Sequence, residues 1–116
     1  MKTIREINVW QKAMEFVTKL YQNTQKFPKE ELFGLTSQMR RCAISVPSNI
    51  AEGFGRSSSI EFKRFLKISM GSLFELETQV EISRNLKYID EFQYDSLYKD
   101  LREIERMLSS FISSIK

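Results

Sequence analysis

Apolar residues recur along this chain at alternating steps of three and four, the spacing that gathers side chains on one face of an α-helix. In the first such stretch Trp10, Ala13, Val17 and Leu20 keep the spacing, and Phe16 and Tyr21 widen the stripe. Asn8 opens it, with Gln11 placed to complete a capping box. The helix should end near Gln25, because Phe27-Pro28 interrupts it and Pro28 can start a short turn through Lys29, Glu30 and Glu31. The second stretch runs from about Leu35 to Gly53, with Leu35, Met39, Cys42, Val46 and Asn49 on one seam and Ile50 beside it. Pro47 lies inside this stretch, yet the period continues on both sides, which predicts one kinked helix rather than two.

Ser58 with Glu61 reads as a capping box for a long third helix, reaching about Lys87. Its seam is Phe62, Leu66, Ser69, Leu73, Leu76, Val80 and Ser83; Phe65, Ile68, Met70 and Phe74 start further stripes, so this helix has more than one packing partner. Asp90 with Gln93 caps a fourth helix, whose seam is Leu97, Leu101, Ile104, Leu108, Phe111 and Ile115, with Phe92, Tyr94 and Tyr98 alongside. Four amphipathic helices, each ~27–42 Å long and joined by short links, predict an all-α, antiparallel up-down four-helix bundle spanning residues 1–116 as one domain.

Composition narrows the function. Of 116 residues, 41% are hydrophobic and 28% charged, with only four glycines and two prolines, which suits a helical domain with a core. No stretch approaches the ~20 apolar residues of a membrane span, and the opening MKTIREINVW lacks a signal-peptide core, so a cytoplasmic protein with no membrane partner is expected. A lone cysteine, Cys42, excludes an internal disulfide. There is no histidine, which closes His-based triads, the usual zinc sites and the commonest neutral-pH general base. Binding or assembly, rather than catalysis, is the class that fits, with no cofactor expected.

The net charge of +3 is unevenly spread. Residues 1–29 carry six Lys and Arg against two acids, residues 40–67 again six against two, and residues 75–105 nine acids against four bases. Such asymmetry makes a basic face available to phosphates or complementary faces for self-association. The candidate nucleic-acid contacts are Lys12 and Lys19 on the first helix, Arg40, Arg41 and Arg56 on and after the second, and Lys63, Arg64 and Lys67 on the third. The loop Gly53-Phe54-Gly55-Arg56-Ser57-Ser58-Ser59 reads first as an interhelical turn, and alternatively as an anion cradle feeding a helix N-terminus.

Polar residues interrupt the core pattern at Asn49 and Glu52, and Glu75 and Glu77 flank apolar Leu76. Buried carboxylates require partners, and Arg40, Arg41 and Arg56 are available, so these four read as a structural polar network that fixes helix register. A carboxylate metal site of the ferritin-like kind would need Glu-x-x-His pairs that are missing here, and an oxygen-only magnesium site at Glu52 with Glu75 or Glu77 has no supporting spacing.

Ser45 to Gly53, preceded by Gln38-Met39-Arg40-Arg41 and followed by Gly55-Arg56, together with Val9-Trp10-Gln11-Lys12 and Gly71-Ser72-Leu73-Phe74-Glu75-Leu76-Glu77-Thr78-Gln79, resembles a known bacterial signature. It is that of the four-helix-bundle protein family encoded in intervening sequences of large-subunit ribosomal RNA genes, and the likeness covers roughly residues 7 to 112. Cys42 stands where an alanine-like residue is usual. The resemblance implies a homo-oligomer, a five-fold ring, and kinship with the accessory protein of diversity-generating retroelements, a basic ring that binds nucleic acid and a reverse transcriptase. It does not imply an enzyme.

Two functions therefore fit. One is a non-catalytic homopentamer associated with RNA, or with a reverse-transcriptase-like partner, through a basic face repeated around the ring. The other is a protein-interaction scaffold with no nucleic-acid role, in which Phe65, Ile68, Met70 and Phe74 make either subunit contacts or ordinary core packing.

Overall fold

The computed structural model describes residues 2–116, and its elements follow the apolar periods closely. A 3₁₀ turn at Ile4–Glu6 leads into α1 (Asn8–Thr24), and a second at Lys29–Glu31 precedes α2 (Leu35–Phe54). The chain then forms α3 (Ser59–Asn85) and α4 (Glu91–Ser114), with no strand among the described residues. Sequential helices pack against each other, α2 on α3 most extensively, and α1 closes the bundle against α4. The result is an all-α up-down four-helix bundle with principal extents of 43 × 25 × 20 Å.

The core is the shared interior of the four seams. On α3, Leu66, Ser69, Leu73, Leu76, Val80 and Ser83 are all buried, and on α4 so are Leu97, Leu101, Ile104 and Leu108. On α2, Met39, Cys42, Val46 and Ile50 are buried, while Leu35 and Asn49 lie at the margin. The α1 seam is rotated from the expected one. Val9, Ala13, Phe16, Leu20 and Thr24 face the core, Trp10 and Val17 are half-buried, and Tyr21 is exposed. Phe92 and Tyr98 also stand outside the α4 seam, Phe92 at 83% exposure.

The helix ends show which side chains satisfy the free N–H groups of the first turn. Asp90 and Gln93 form a full capping box on α4. On α3 only half of the expected box is made: Glu61 N–H donates to Ser58 Oγ at 3.1 Å, while the Glu61 carboxylate turns instead to Arg64. No box forms on α1. Ile7 occupies the cap position without a side-chain bond, Asn8 is already helical, and the Gln11 amide donates to the Arg5 carbonyl. Helix α3 ends in a Schellman arrangement, with Tyr88 N–H donating to Ser83 O and Lys87 N–H to Arg84 O, both at 2.9 Å. Lys87 takes the left-handed position at φ 64°.

Helix α2 runs unbroken through Pro47 to Phe54. One residue before its end, Gly53 permits a close approach of α2 to α3. A Cβ there would lie 2.8 Å from Phe65 Cβ, 2.9 Å from the Phe62 ring and 3.1 Å from the Phe62 carbonyl. Farther along the same seam, Ser69 Oγ donates to the Val46 carbonyl at 2.7 Å, so the two helices are joined by hydrogen bond as well as by packing.

Candidate nucleic-acid interface

The tight α2–α3 hairpin sets the geometry of one end of the bundle. Phe62, near the start of α3, meets Phe54 at 6.4 Å and Phe111 of α4 at 5.6 Å between ring centroids, both edge-on. This aromatic cluster fixes the register that brings the last residues of α4 beside the first turns of α3. Nearby, the guanidinium groups of Arg56 and Arg64 lie 4.8 and 4.6 Å from the centroid of the Phe65 ring, so one aromatic ring serves two cations.

Beside them is an open cavity of about 340 Å³, lined by Ser59, Ile60, Lys63, Arg64, Lys67 and Lys116. Lys63 and Lys67 form no ion pair with any described residue. Arg56 and Arg64 are each held by one exposed neighbour, Glu52 at 2.8 Å and Glu61 at 3.1 Å. The Arg64 contact lowers the Glu61 carboxyl from its ordinary value and raises the Arg64 guanidinium. Exposed pairs of this kind are weak and screened by salt, so the end of the molecule keeps its positive character.

The remaining candidates lie elsewhere. Lys12 and Lys19 face α4, where Lys19 Nζ sits 2.7 Å from Asp100 and Lys12 Nζ lies 3.6 Å from Asp100 and 3.7 Å from Glu103. Their charge closes the bundle internally. Arg40 donates to Thr24 Oγ1 at 3.0 Å and stacks on the Tyr21 ring at 4.5 Å, at the opposite end of α2 from Arg56. Arg41 reaches only Ser37 Oγ, at 3.5 Å. The structure thus gathers Arg56, Lys63, Arg64 and Lys67 into one patch and leaves the other four outside it.

Lys116 joins this patch without having been a candidate. Its only sequence signal is the length of α4, which in an antiparallel hairpin returns the chain to the start of α3. The exposed Ile60, at 80%, adds an apolar side chain at the rim of the cavity.

Asn49, Glu52, Glu75 and Glu77 do not form one network. Asn49 Nδ2 donates to Ser45 O and Oγ at 2.8 and 2.9 Å, and Ser45 Oγ bonds Ser72 Oγ at 2.9 Å across the helix pair. Glu52 is exposed and pairs with Arg56 alone. Residues two apart on a helix point in nearly opposite directions, so Glu75 and Glu77 part company. Glu75 lies against Cys42 on the α2 side, where burial above all, then the Glu75 charge, pushes the thiol up to about 12. Glu77 faces α4. Burial chiefly, then Glu105, raises its carboxyl, with Arg102 opposing. Among the described residues no three His, Cys, Asp or Glu side chains converge as metal ligands, and no helix is long and apolar enough to cross a membrane.

Comparison with known proteins agrees with this architecture. Residues 5–110 match the family model of the 23S rRNA-intervening sequence protein. Among solved structures, a crystal structure from Bacteroides thetaiotaomicron, a protein of unknown function from the S23 ribosomal protein family, is similar at TM-score 0.84 and 27% identity, covering 91% of this chain and 96% of that one. No curated protein matches the chain.

Proposed function

Because this chain belongs to the 23S rRNA-intervening sequence protein family, we propose that it is a non-catalytic, homo-oligomeric bundle protein that associates with RNA through its cationic end. The observation that carries this is the cluster of Arg56, Lys63, Arg64, Lys67 and Lys116, in which Lys63 and Lys67 have no ion-pair partner among the described residues. Phosphate contacts from Lys and Arg supply sequence-independent affinity by releasing counterions. Side chains that bear no internal partner are the ones free to make them. Assembly into a pentameric ring repeats the patch, so a monomer of modest charge yields a strong summed field. Cytoplasmic residence, and an RNA-processing or reverse-transcriptase-like protein partner on the same ring, belong to the same proposal.

The test is a titration of single-stranded RNA by fluorescence anisotropy at two salt concentrations, with light scattering to give the mass of the assembly. Affinity should fall steeply with salt, with a logarithmic slope of about −0.7 for each phosphate contacted. Replacing Lys63, Arg64 and Lys67 with Glu should abolish binding while the mass stays that of the parent. Undiminished affinity in that variant removes the patch from the interface, and absence of binding at low salt removes RNA altogether.

A second function, a scaffold for protein partners with no RNA role, is favoured by a different observation. Phe33, Phe92 and Ile60 are 92%, 83% and 80% exposed, and Ile68 and Phe74 on α3 also stand outward, whereas Phe65 and Met70 pack inward. Exposed apolar side chains mark contact surfaces where they gather into a patch. An assembly of the expected mass that ignores RNA at low salt supports the scaffold over the RNA-associated ring.

A further inference from the structure

Glycine weakens a helix relative to alanine, and a helix interior keeps one where a positive φ or a close neighbour demands it. Gly71, midway along α3, answers to neither within its own chain. Its φ is not positive, and a Cβ added there would meet no atom within 4 Å. Gly53 is the contrast, since the Cβ it lacks is what lets α3 come close. Around Gly71 the outward face of α3 is bare of charge. Ile68, Phe74 and Ile82 are exposed, and among the exposed residues from Ile68 to Asn85 only Glu75 is charged. Outward faces of bundle helices are ordinarily charged and polar. A neutral ridge notched at its centre is the shape of a helix face that another surface approaches closely.

Between α1 and α2 runs an apolar groove of about 300 Å³. Trp10, Met14 and Val17 form one wall, Ile44, Pro47 and Ser48 the other, and no charged side chain lines it. Two hydrogen bonds fix its height relative to the ridge. Ser45 Oγ meets Ser72 Oγ at 2.9 Å and Ser69 Oγ donates to the Val46 carbonyl at 2.7 Å, so residues 69–72 of α3 stand level with residues 45–46 of α2. Gly71 is therefore at the height of Ile44, Pro47 and Ser48. Opposite charges flank the two surfaces, also at one height. Glu75, one turn from Gly71, and Arg41, one turn from Ile44, border the same α2–α3 cleft, and neither forms an ion pair with any described residue.

The groove admits a neutral, ridged partner, and the chain itself carries one at the matching height. We propose that the outer face of α3, centred on Gly71, packs into the α1–α2 groove of a second copy of this chain. Helices α1 and α3 each pack on α2 and α4, so they stand diagonally and the groove and the ridge face different directions. A contact between unlike faces repeats from copy to copy. Equal heights give it no rise along the bundle axis, so it closes into a ring rather than running on as a filament. In that ring the Glu75 of each copy arrives at the height of its neighbour's Arg41, placing complementary charges beside the apolar seam. The inference rests on the homo-oligomeric reading above, names the surfaces that build the assembly, and does not depend on RNA.

The experiment is light scattering on the full chain, on Gly71→Arg, on Ile44→Arg and on an equimolar mixture of the two variants. Both substitutions fall at exposed positions, and circular dichroism at the parent's helical content shows that they fold. The parent should assemble, and each variant alone should drop to the mass of a single chain. The mixture should form a species of twice that mass and nothing larger, because it offers one intact groove to one intact ridge. A parent that assembles while either variant keeps its mass overturns this pairing of faces and leaves the homo-oligomer standing. A mixture that stays monomeric, or that regains the parent's mass, overturns the pairing as well. A monomeric parent overturns both this inference and the homo-oligomeric reading.

Discussion

Asp100 holds two lysines of α1 at once, Lys19 at 2.7 Å through one carboxylate oxygen and Lys12 at 3.6 Å through the other. The Lys19 ammonium also donates to Ser96 Oγ, so the first and last helices are clamped along their shared edge by one acidic residue. Replacing Asp100 with Ala leaves Lys12 with only its loose Glu103 contact and Lys19 with only Ser96. That substitution should cost about 1–2 kcal/mol in urea unfolding, the scale of a partly buried hydrogen bond to a charged group. Lys12→Ala, which loses only two long and loose contacts, should cost less than about 0.5 kcal/mol. Equal costs would show that Asp100 is not the shared anchor.

The same pairing has a consequence for RNA. Charges already neutralised at the α1–α4 edge contribute little to counterion release, so Lys12→Ala with Lys19→Ala should leave RNA affinity within about twofold of the parent. The anisotropy titration that shows loss on reversing Lys63, Arg64 and Lys67 checks this directly. A comparable loss in the α1 double variant would move the interface to the other side of the bundle.

Gly53 sits where α2 and α3 nearly touch. An added Cβ would fall 2.8 Å from Phe65 Cβ, an atom fixed to its backbone, so the helices must part or shift to admit it. Gly53→Ala gains helix propensity but should still destabilise by about 1–3 kcal/mol, the usual cost of overpacking. Thermal or urea unfolding measures it, and a stabilised variant would show that the hairpin yields easily.

At the other end of α3, Lys87 adopts φ 64°, a conformation that costs a side-chain-bearing residue about 1 kcal/mol and costs glycine nothing. Its N–H donates to Arg84 O, a bond that glycine retains. Lys87→Gly should therefore leave stability unchanged or raise it by up to about 1 kcal/mol, against the destabilisation expected of glycine elsewhere in a chain. Replacement by a β-branched residue, Lys87→Val, should lower it.

Glu77 supplies a pH dependence. Burial first, then the Glu105 charge, raises its carboxyl above the ordinary carboxylate value, and one of its oxygens is buried without a partner among the described residues. The folded chain therefore holds this proton more tightly than the unfolded chain does. Its contribution to stability falls as pH rises from the ordinary carboxylate range through the raised value, and is restored below that range. Glu77→Gln removes the charge while keeping the shape. At pH 7 its melting temperature should exceed that of the parent, and the two should converge as pH is lowered through the carboxylate range. A gap that persists in acid would assign the effect to packing instead.

The seams of α3 and α4 are legible in the sequence because each keeps one row at alternating steps of four and three, mostly apolar and broken on α3 only by the small, buried Ser69 and Ser83. On α1 the choice is ambiguous, and size misleads. Trp10 and Tyr21 are the largest apolar residues, yet each serves as a platform for a guanidinium, Arg5 at 5.9 Å and Arg40 at 4.5 Å from the ring centroid, while the smaller Val9 goes inside. The cationic end is readable for a local reason: Arg56, Lys63, Arg64 and Lys67 are close in sequence, so one helix start gathers them. Lys12 and Lys19 look equivalent to these until the fold brings Asp100 alongside from more than 80 residues away. Glu75 and Glu77 share a tripeptide but not a face, a separation that helix geometry dictates once α3 is assigned. The unpaired state of the Gln79 amide oxygen has no sequence signal, because it depends on which side chains the fold brings beside it.

Cys42 is the sole sulfhydryl of the chain, largely buried where α2 packs on α3 at 7% exposure, with its ionisation pushed up to about 12. The thiolate is the nucleophile that adds to a maleimide, so the native residue will remain dark under conditions that tag a surface cysteine to completion. One engineered handle at an outward position then gives each polypeptide a single fluorophore without deleting anything from the interior. Counting stepwise photobleaching of individual particles would read the number of subunits straight from the wild-type core.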